Sequence, residues 1–283
     1  MKTILITSRA MLPCVVFGLW AGMAQAQTAA PAAPAAAPAA APDAAAAPAV
    51  SPWSANVTVA SQYISRGFRQ SWGRPALQGG VDYADPSGFS AGTWLSTIDK
   101  RYIESGHEEW DLYGGYTGAA GDVGYSVMAL YYKYPGAVIS ATGTKFDYGE
   151  LSFGLTYKML YAKYNRTVTK DFFGITDARG TGYWDIGANP DLGGGYTLNL
   201  HYGIGRVASK GAADNSVWNW KDYKVGVSKS FDGGWTLAGA YTKAKGATSI
   251  YDQYGTGVPN ASGNYDVSNP ARGTFVLSLN KVF

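Results

Sequence analysis

The sequence predicts an all-β fold, an up-and-down antiparallel transmembrane β-barrel of about 12 strands with short periplasmic turns and long extracellular loops. Apolar and polar residues alternate through segments such as 53–60 and 195–206, as in strands with one apolar and one polar face. The connections between such segments are alternately short and long, which is typical of outer-membrane barrels. The last alternating segment ends on an aromatic residue, Phe283.

Residues 1–26 are predicted to be a signal peptide. Lys2 and Arg9 give the segment a positive start, and residues 11–23 form an apolar stretch too short to span a bilayer as a helix. Residues 24–26 (AQA) then match the small-x-small pattern of a cleavage site. An uncleaved membrane anchor is the alternative, and the cleavage site directly after the apolar stretch disfavours it.

Residues 27–52 are nearly all Ala and Pro and are predicted to form a disordered periplasmic tail. Proline recurs too often for a stable helix, and no side chain there could build a core. Both an inert spacer and a tether through the peptidoglycan would fit this composition. From Trp53 the composition changes abruptly, so residues 53–283 are predicted to form the barrel.

Composition excludes several classes of protein. Removing the signal peptide leaves 21 basic and 20 acidic residues, a net charge of +1, whereas nucleic-acid-binding proteins usually have a clear basic excess. Charged residues make up only 15% of the chain and aromatic residues 14%, with 37 Gly. This profile favours short strands with aromatic bands over a soluble enzyme. The single cysteine lies in the signal peptide, so no disulfide or thiolate site is expected.

Twelve strands are predicted from the alternation and the turn residues. They are residues 53–66, 76–83, 88–98, 108–118, 123–134, 146–157, 159–168, 181–189, 195–206, 218–230, 235–245 and 271–283. An even number of strands places both termini at the edge with the short turns. Which face is apolar is ambiguous for 88–98 and 123–134, where both faces carry apolar residues.

A soluble β-sandwich would also alternate, but it would place its large aromatic residues in mid-strand. Here they lie beside the short turns, where the rings of a barrel would sit at the membrane–water interface. These residues are Tyr83, Phe89, Tyr116, Tyr125, Phe231 and Trp235.

The chain also resembles the TorF family of Gram-negative porin-like proteins. The resemblance is carried by residues 63–71 (YISRGFRQS), 75–94, 108–118 (EEWDLYGGYTG), 131–136 (YYKYPG), 147–157 and 220–231 (WKDYKVGVSKSF). It implies an outer-membrane porin-like barrel but little chemistry, and a fold-level family name does not establish the function. No cofactor is predicted.

If the apolar faces meet lipid, the polar faces point into the lumen. The predicted lumen-lining residues are Arg66, Asp82, Asp111, Glu150, Lys163, Asp185, His201, Asp222, Lys224 and Arg272. These charges could line a narrow hydrated pore, or they could pair across the interior and plug it. The first case predicts passive diffusion of small hydrophilic solutes. The second predicts a non-conducting barrel with a structural or loop-mediated binding role.

No catalytic or metal site is predicted. His107 lacks the second histidine of a zinc-protease motif and should be a surface residue. His201, Ser228 and Asp222 all fall on polar strand faces, which leaves an outer-membrane hydrolase as a remote alternative. The expected partners are therefore outer-membrane lipids, small solutes and, during biogenesis, the barrel-assembly machinery, for which Phe283 is the predicted signal.

Deleting residues 27–52 should leave the barrel intact, because a solvated Ala/Pro segment packs against nothing. Heat-modifiable mobility on gels, after refolding in detergent micelles, should be the same for the truncated and the full chain. Loss of the folded band would show that the tail has a structural role.

Overall fold

The computed structural model describes residues 51–256, 259–260 and 262–283. The predicted signal peptide and nearly all of the predicted tail lie outside this part of the chain, so their boundaries stay predictions. No helix in the described residues is long and apolar enough to cross a membrane.

Within the described residues, twelve strands form one closed antiparallel barrel, which confirms the predicted fold class. They are β1 (Trp53–Ala60), β2 (Ala76–Ala84), β3 (Phe89–Thr97), β4 (Glu108–Ala120), β5 (Val123–Lys133), β6 (Tyr148–Tyr157), β7 (Leu160–Thr167), β8 (Gly182–Ala188), β9 (Tyr196–Arg206), β10 (Trp220–Phe231), β11 (Trp235–Gly246) and β12 (Thr274–Val282). The connections hold only short strands and 3-10 turns, such as Asn215–Trp218.

Closure depends on the pairing of the first strand with the last. Each strand is hydrogen-bonded to the next, and β12 returns to β1 in a register that runs from Asn56 opposite Val282 to Ala60 opposite Ser278. Beyond it, the amide of Phe283 donates to the carbonyl of Ala55 at 2.8 Å. Because every strand is paired on both sides, the barrel exposes no free sheet edge.

The two edges of the barrel differ in their connections. The short-turn edge carries tight turns, such as Gly121-Asp122 between β4 and β5, and it also carries both ends of the barrel. The long-loop edge carries the connections 61–75, 98–107, 134–147, 168–181, 207–219 and 247–273. This alternation agrees with the predicted one.

The outer face is an apolar belt between two rows of aromatic residues. Val59, Leu155 and Leu277 are each more than half exposed on this face. At the short-turn edge, Phe89 packs edge-on against Tyr116, with ring centroids 5.1 Å apart. An exposed apolar belt of this extent is costly in water and favourable in hydrocarbon.

Two predicted strands extend too far. The first ends at Ala60, not at residue 66, because residues 62–72 leave the wall and, except for the half-buried Ser65, are buried. The last begins at Thr274, not at residue 271. Arg66 and Arg272 therefore do not lie on strands: Arg66 is buried in the first long connection, and Arg272 is exposed in the last.

Deleting Phe283, or replacing it with Asp, should impair assembly, because it removes the terminal aromatic beside the closing pair. Phe89→Asp is the matched control, since it also puts a charge in place of an exposed aromatic at the same edge. Outer-membrane levels and heat-modifiable mobility measure the effect. Normal insertion of the Phe283 variants would contradict the assembly role.

Candidate functional site

The first long connection, residues 61–75, folds into the barrel as a hairpin, hereafter the inner hairpin. Its strands pair Ile64 with Arg69 and Ser65 with Phe68, and Arg66 and Gly67 form the tip. Both tip residues have positive φ, at 47° and 85°. Two positive φ values are the condition for a type I′ turn, which glycine meets without strain.

The tip packs against the inner face of β10 and β11. A Cβ on Gly67 would lie 2.5 Å from Cβ of Asp222 and 2.7 Å from Cβ of Ala244, so only glycine fits there. Phe68 packs edge-on against Trp220, with centroids 5.7 Å apart. These contacts are on β10 and β11, three and two strands from β1 around the barrel.

Arg66 anchors the tip to β6 and β8, four to six strands from the root on β1 and β2, so the inner hairpin crosses the lumen. Its guanidinium donates two hydrogen bonds to the Glu150 carboxylate, at 3.1 and 2.5 Å, and both side chains are almost completely buried. It also lies over the ring of Tyr183, 4.6 Å from the centroid. Such a pair contributes little net stability compared with apolar residues, but removing one partner costs about 3–5 kcal/mol. The pair therefore fixes where the hairpin sits.

A second buried acid, Glu109 on β4, holds the root of the inner hairpin. The hydroxyls of Tyr63 and Tyr134 donate to the two carboxylate oxygens of Glu109, at 2.7 and 2.9 Å. Glu109 was not among the predicted lumen residues, although it alternates in phase with Asp111 and that phase could have identified it.

The far end of the hairpin is tied to the next long loop. The backbone amide of Asp99 donates to the carbonyl of Gln70 at 3.0 Å. The Asp99 side chain accepts two hydrogen bonds from Arg101, at 2.8 and 2.7 Å. Burial alone would raise the pKa of Asp99, but the hydrogen bonds from Arg101 outweigh it and lower the pKa. The carboxylate therefore stays charged and pairs with Arg101 in its own loop and with Arg74 of the first long connection, 3.6 Å away.

Above the hairpin, the long loops form an aromatic core. Phe172, Phe173 and Tyr148 pack edge-on, with centroid distances between 4.9 and 6.4 Å. A cavity of about 120 Å³ lies between this core and the hairpin. The upper part of the lumen is therefore filled by protein, and this packing was not predicted from the sequence.

A polar cluster occupies the wall formed by β8, β9 and β10. Nδ1 of His201 lies 2.8 Å from Oδ1 of Asp185, and Nε2 lies 2.7 Å from Oδ1 of Asp222. Tyr183 donates to the second oxygen of Asp222 at 3.0 Å. Because ionised carboxylates can only accept, a doubly protonated imidazole satisfies both of them.

Two lysines lie on the same side of the lumen. Lys163 on β7 stands opposite Asp185 in register, and Lys224 on β10 stands opposite His201. Both keep part of their surface accessible to solvent inside the barrel. The other side, from β2 to β6, carries the acids Asp82, Glu109, Asp111 and Glu150. The wall from β2 to β6 thus carries inward acids without an inward lysine, whereas on β7 to β10 the two lysines lie beside Asp185 and Asp222.

Asp82 and Asp111, the other two predicted residues that lie on strands, also face the interior. Asp82 accepts a hydrogen bond from Tyr113 at 2.6 Å and is partly accessible, whereas Asp111 is buried. The ambiguous strands are settled too: Leu95 and Val127 face outward, and Trp94 and Leu130 face inward. The inner face is therefore more aromatic than the sequence predicts.

The hydrolase constellation does not assemble. Both ring nitrogens of His201 face carboxylates, and Ser228 lies six residues along β10 from Asp222, roughly 20 Å away. Among the described residues, no group of three or more His, Asp or Glu side chains is placed to hold a metal ion.

A family model described as a bacterial protein of unknown function (Gcw_chp) matches residues 44–282. The chain belongs to this family. No curated protein matches the Gcw_chp chain significantly. The family match does not test the TorF resemblance, which stays a prediction.

One solved porin shares the fold. A KdgM porin structure superposes with a TM-score of 0.50 at 7% identity, covering 81% of this chain and 99% of the porin. A NanC porin gives a TM-score of 0.47 at 11% identity, with coverages of 81% and 98%. An anion-selective porin from Comamonas acidovorans gives 0.39 at 17% identity, with coverages of 73% and 59%. At 7% identity the KdgM superposition shows only that this chain and that porin share a barrel fold.

Glu150→Gln should release the inner hairpin, because it leaves Arg66 buried without its anion. A cost of about 3 kcal/mol corresponds to a roughly 100-fold larger population with the hairpin detached. Limited trypsin digestion in micelles, with cleavage after Arg66 and Arg69 followed by mass spectrometry, measures this population. Asp82→Asn is the control, since it neutralises a wall acid bonded to Tyr113 and not to the hairpin. Unchanged cleavage in a folded Glu150→Gln protein would contradict the anchoring role.

Proposed function

We propose that the protein is a porin-like channel of the outer membrane, through which small hydrophilic solutes diffuse passively, and that it is not an enzyme. The observation that carries the proposal is a closed barrel with an apolar outer belt and charged groups on its inner face. The fold shared with a KdgM porin supports it. In the outer membrane the short turns would face the periplasm and the long loops the outside. The predicted tail would then also lie in the periplasm.

The inner hairpin would set the narrowest part of the channel. A 12-stranded barrel is intermediate between 8-stranded barrels, filled by side chains, and wide 16-stranded porins. A hairpin across such a lumen leaves room for small solutes only. Solutes would then pass Asp82 and the lysines of β7 and β10, the wall charges that solvent reaches, which focus the local potential.

A second candidate is a non-conducting barrel with a structural or loop-binding role. It is favoured by one observation, the burial of residues 62–72 beneath the aromatic core of the loops. The two candidates differ in whether the hairpin restricts the lumen or closes it.

Conductance of the purified protein in planar bilayers distinguishes the channel from the non-conducting barrel. A channel should give small, reproducible conductance steps, and Glu150→Gln should enlarge them by freeing the hairpin. If the parent is silent and Glu150→Gln conducts, the hairpin is a plug. If neither conducts, the channel proposal is wrong.

Ion selectivity should follow the charges that solvent reaches. Lys224→Gln should make the channel more cation-selective, and Asp82→Asn should make it more anion-selective. Reversal potentials under a salt gradient measure both shifts, which should shrink near 1 M salt, where the Debye length is about 3 Å. Unchanged reversal potentials at low salt in both variants would show that these residues do not face the conducting path.

A further inference from the structure

The outer wall carries a one-sided group of basic residues at the long-loop edge, hereafter the basic rim. Its members, Arg166, Arg206, Lys221, Lys243 and Lys245, are all exposed. They alternate in phase with the apolar outer residues of their strands, so they point away from the lumen. The function proposed above does not use them.

The register places these five residues next to one another. Arg166 and Arg206 both stand opposite Gly182, on its two sides, and are thus about 10 Å apart. Lys221 stands directly opposite Lys245, and Lys243 follows on the same face of β11. The basic rim therefore spans the five strands from β7 to β11, roughly 20 Å across.

No acid neutralises the basic rim from its own strands. The acids of β7 to β11 are Asp185 and Asp222, and both point into the lumen. None of the ion pairs found in the described residues includes a member of the rim. At the same edge of the other strands, the outward charges are Glu108 and Lys133, which balance each other. The positive charge is thus confined to one side of the barrel.

We propose that the basic rim binds the phosphate groups of a lipid in the leaflet on the long-loop side. The rim lies just beyond exposed aromatics, Trp184, Tyr202 and Tyr223, which mark the level of an interface. Several fixed cations at the height of headgroups attract anionic lipid. Five of them within 20 Å fit a headgroup with more than one phosphate, whose acyl chains would lie on the apolar belt below.

The occupant is a lipid and not a soluble anion or protein, because the charges sit on the wall that faces the bilayer. A soluble partner would approach the loops from above, where charges of both signs mix, as in Lys170 beside Asp177. The inference rests on the proposed membrane location, but it does not depend on conduction.

Binding of bisphosphorylated lipid A to the protein in detergent micelles, followed by native mass spectrometry, tests the proposal. The parent should bind it much more tightly than the same lipid without phosphates. The triple variant K221Q/K243Q/K245Q should lose on the order of 100-fold in affinity. The matched control K158Q/K229Q/K281Q removes three lysines from the short-turn edge, where they lie over aromatic rings, and should keep the parent affinity.

Each other outcome overturns the proposal. Equal binding of the phosphorylated and dephosphorylated lipids would exclude phosphate recognition, and equal losses in the two triple variants would reduce the effect to net charge. Full competition by inorganic phosphate would indicate a free-anion site.

If heat-modifiable mobility shows that the triple variant does not fold, the single variants Lys243→Gln and Lys245→Gln replace it. Each should lose roughly 5-fold in affinity for the lipid. Bilayer conductance of the folded variant, measured separately, distinguishes failure of the lipid site from failure of the channel.

Discussion

The backbone hydrogen bonds between β1 and β12 are the constraint on which the rest of the structure depends. A strand in hydrocarbon must pair every amide and carbonyl within the protein, and only a closed sheet does so. Closure fixes which residues face lipid and which face the lumen, because side chains alternate along every strand. It therefore forces the acids and lysines of the wall into a confined interior, where they must find partners among themselves or in water.

The inner hairpin supplies some of these partners. Arg66 brings a cation to Glu150, and Tyr63 brings a hydroxyl to Glu109, so two buried acids of the wall are bonded by a segment that is not part of the wall. The His201 cluster is satisfied by the wall itself, through Asp185 and Asp222. Stability of the loop edge and the width of the lumen are thus coupled through the same few contacts. Releasing the hairpin would widen the interior and expose acids that the hairpin now covers.

Outside the barrel the same alternation has a different consequence. The alternation along each strand directs apolar side chains outward on the belt. Near the long-loop edge it also directs lysine and arginine side chains outward. Such residues are tolerated only where the wall leaves the hydrocarbon. Their concentration on β7 to β11 makes the barrel electrostatically asymmetric around its axis, in addition to the difference between its two edges.

Period-two alternation and alternating connection lengths were enough to predict the twelve strands, their approximate bounds and the edge at which both ends of the barrel lie. They also predicted which strand residues point inward, namely Asp82, Asp111, Glu150, Lys163, Asp185, His201, Asp222 and Lys224. These features are local, because the pattern along one strand states which side faces lipid. The sequence could not place residues 61–75, since Tyr63 and Phe68 look like strand residues and their partners lie far away in the chain. The alternation also led to a predicted first strand that runs to Arg66. At that point the chain turns inward, with positive φ at Arg66 and Gly67 and with Gly67 in contact with Asp222. What fills the lumen was decided only by tertiary structure, because packing across a closed barrel joins residues that no sequence period relates.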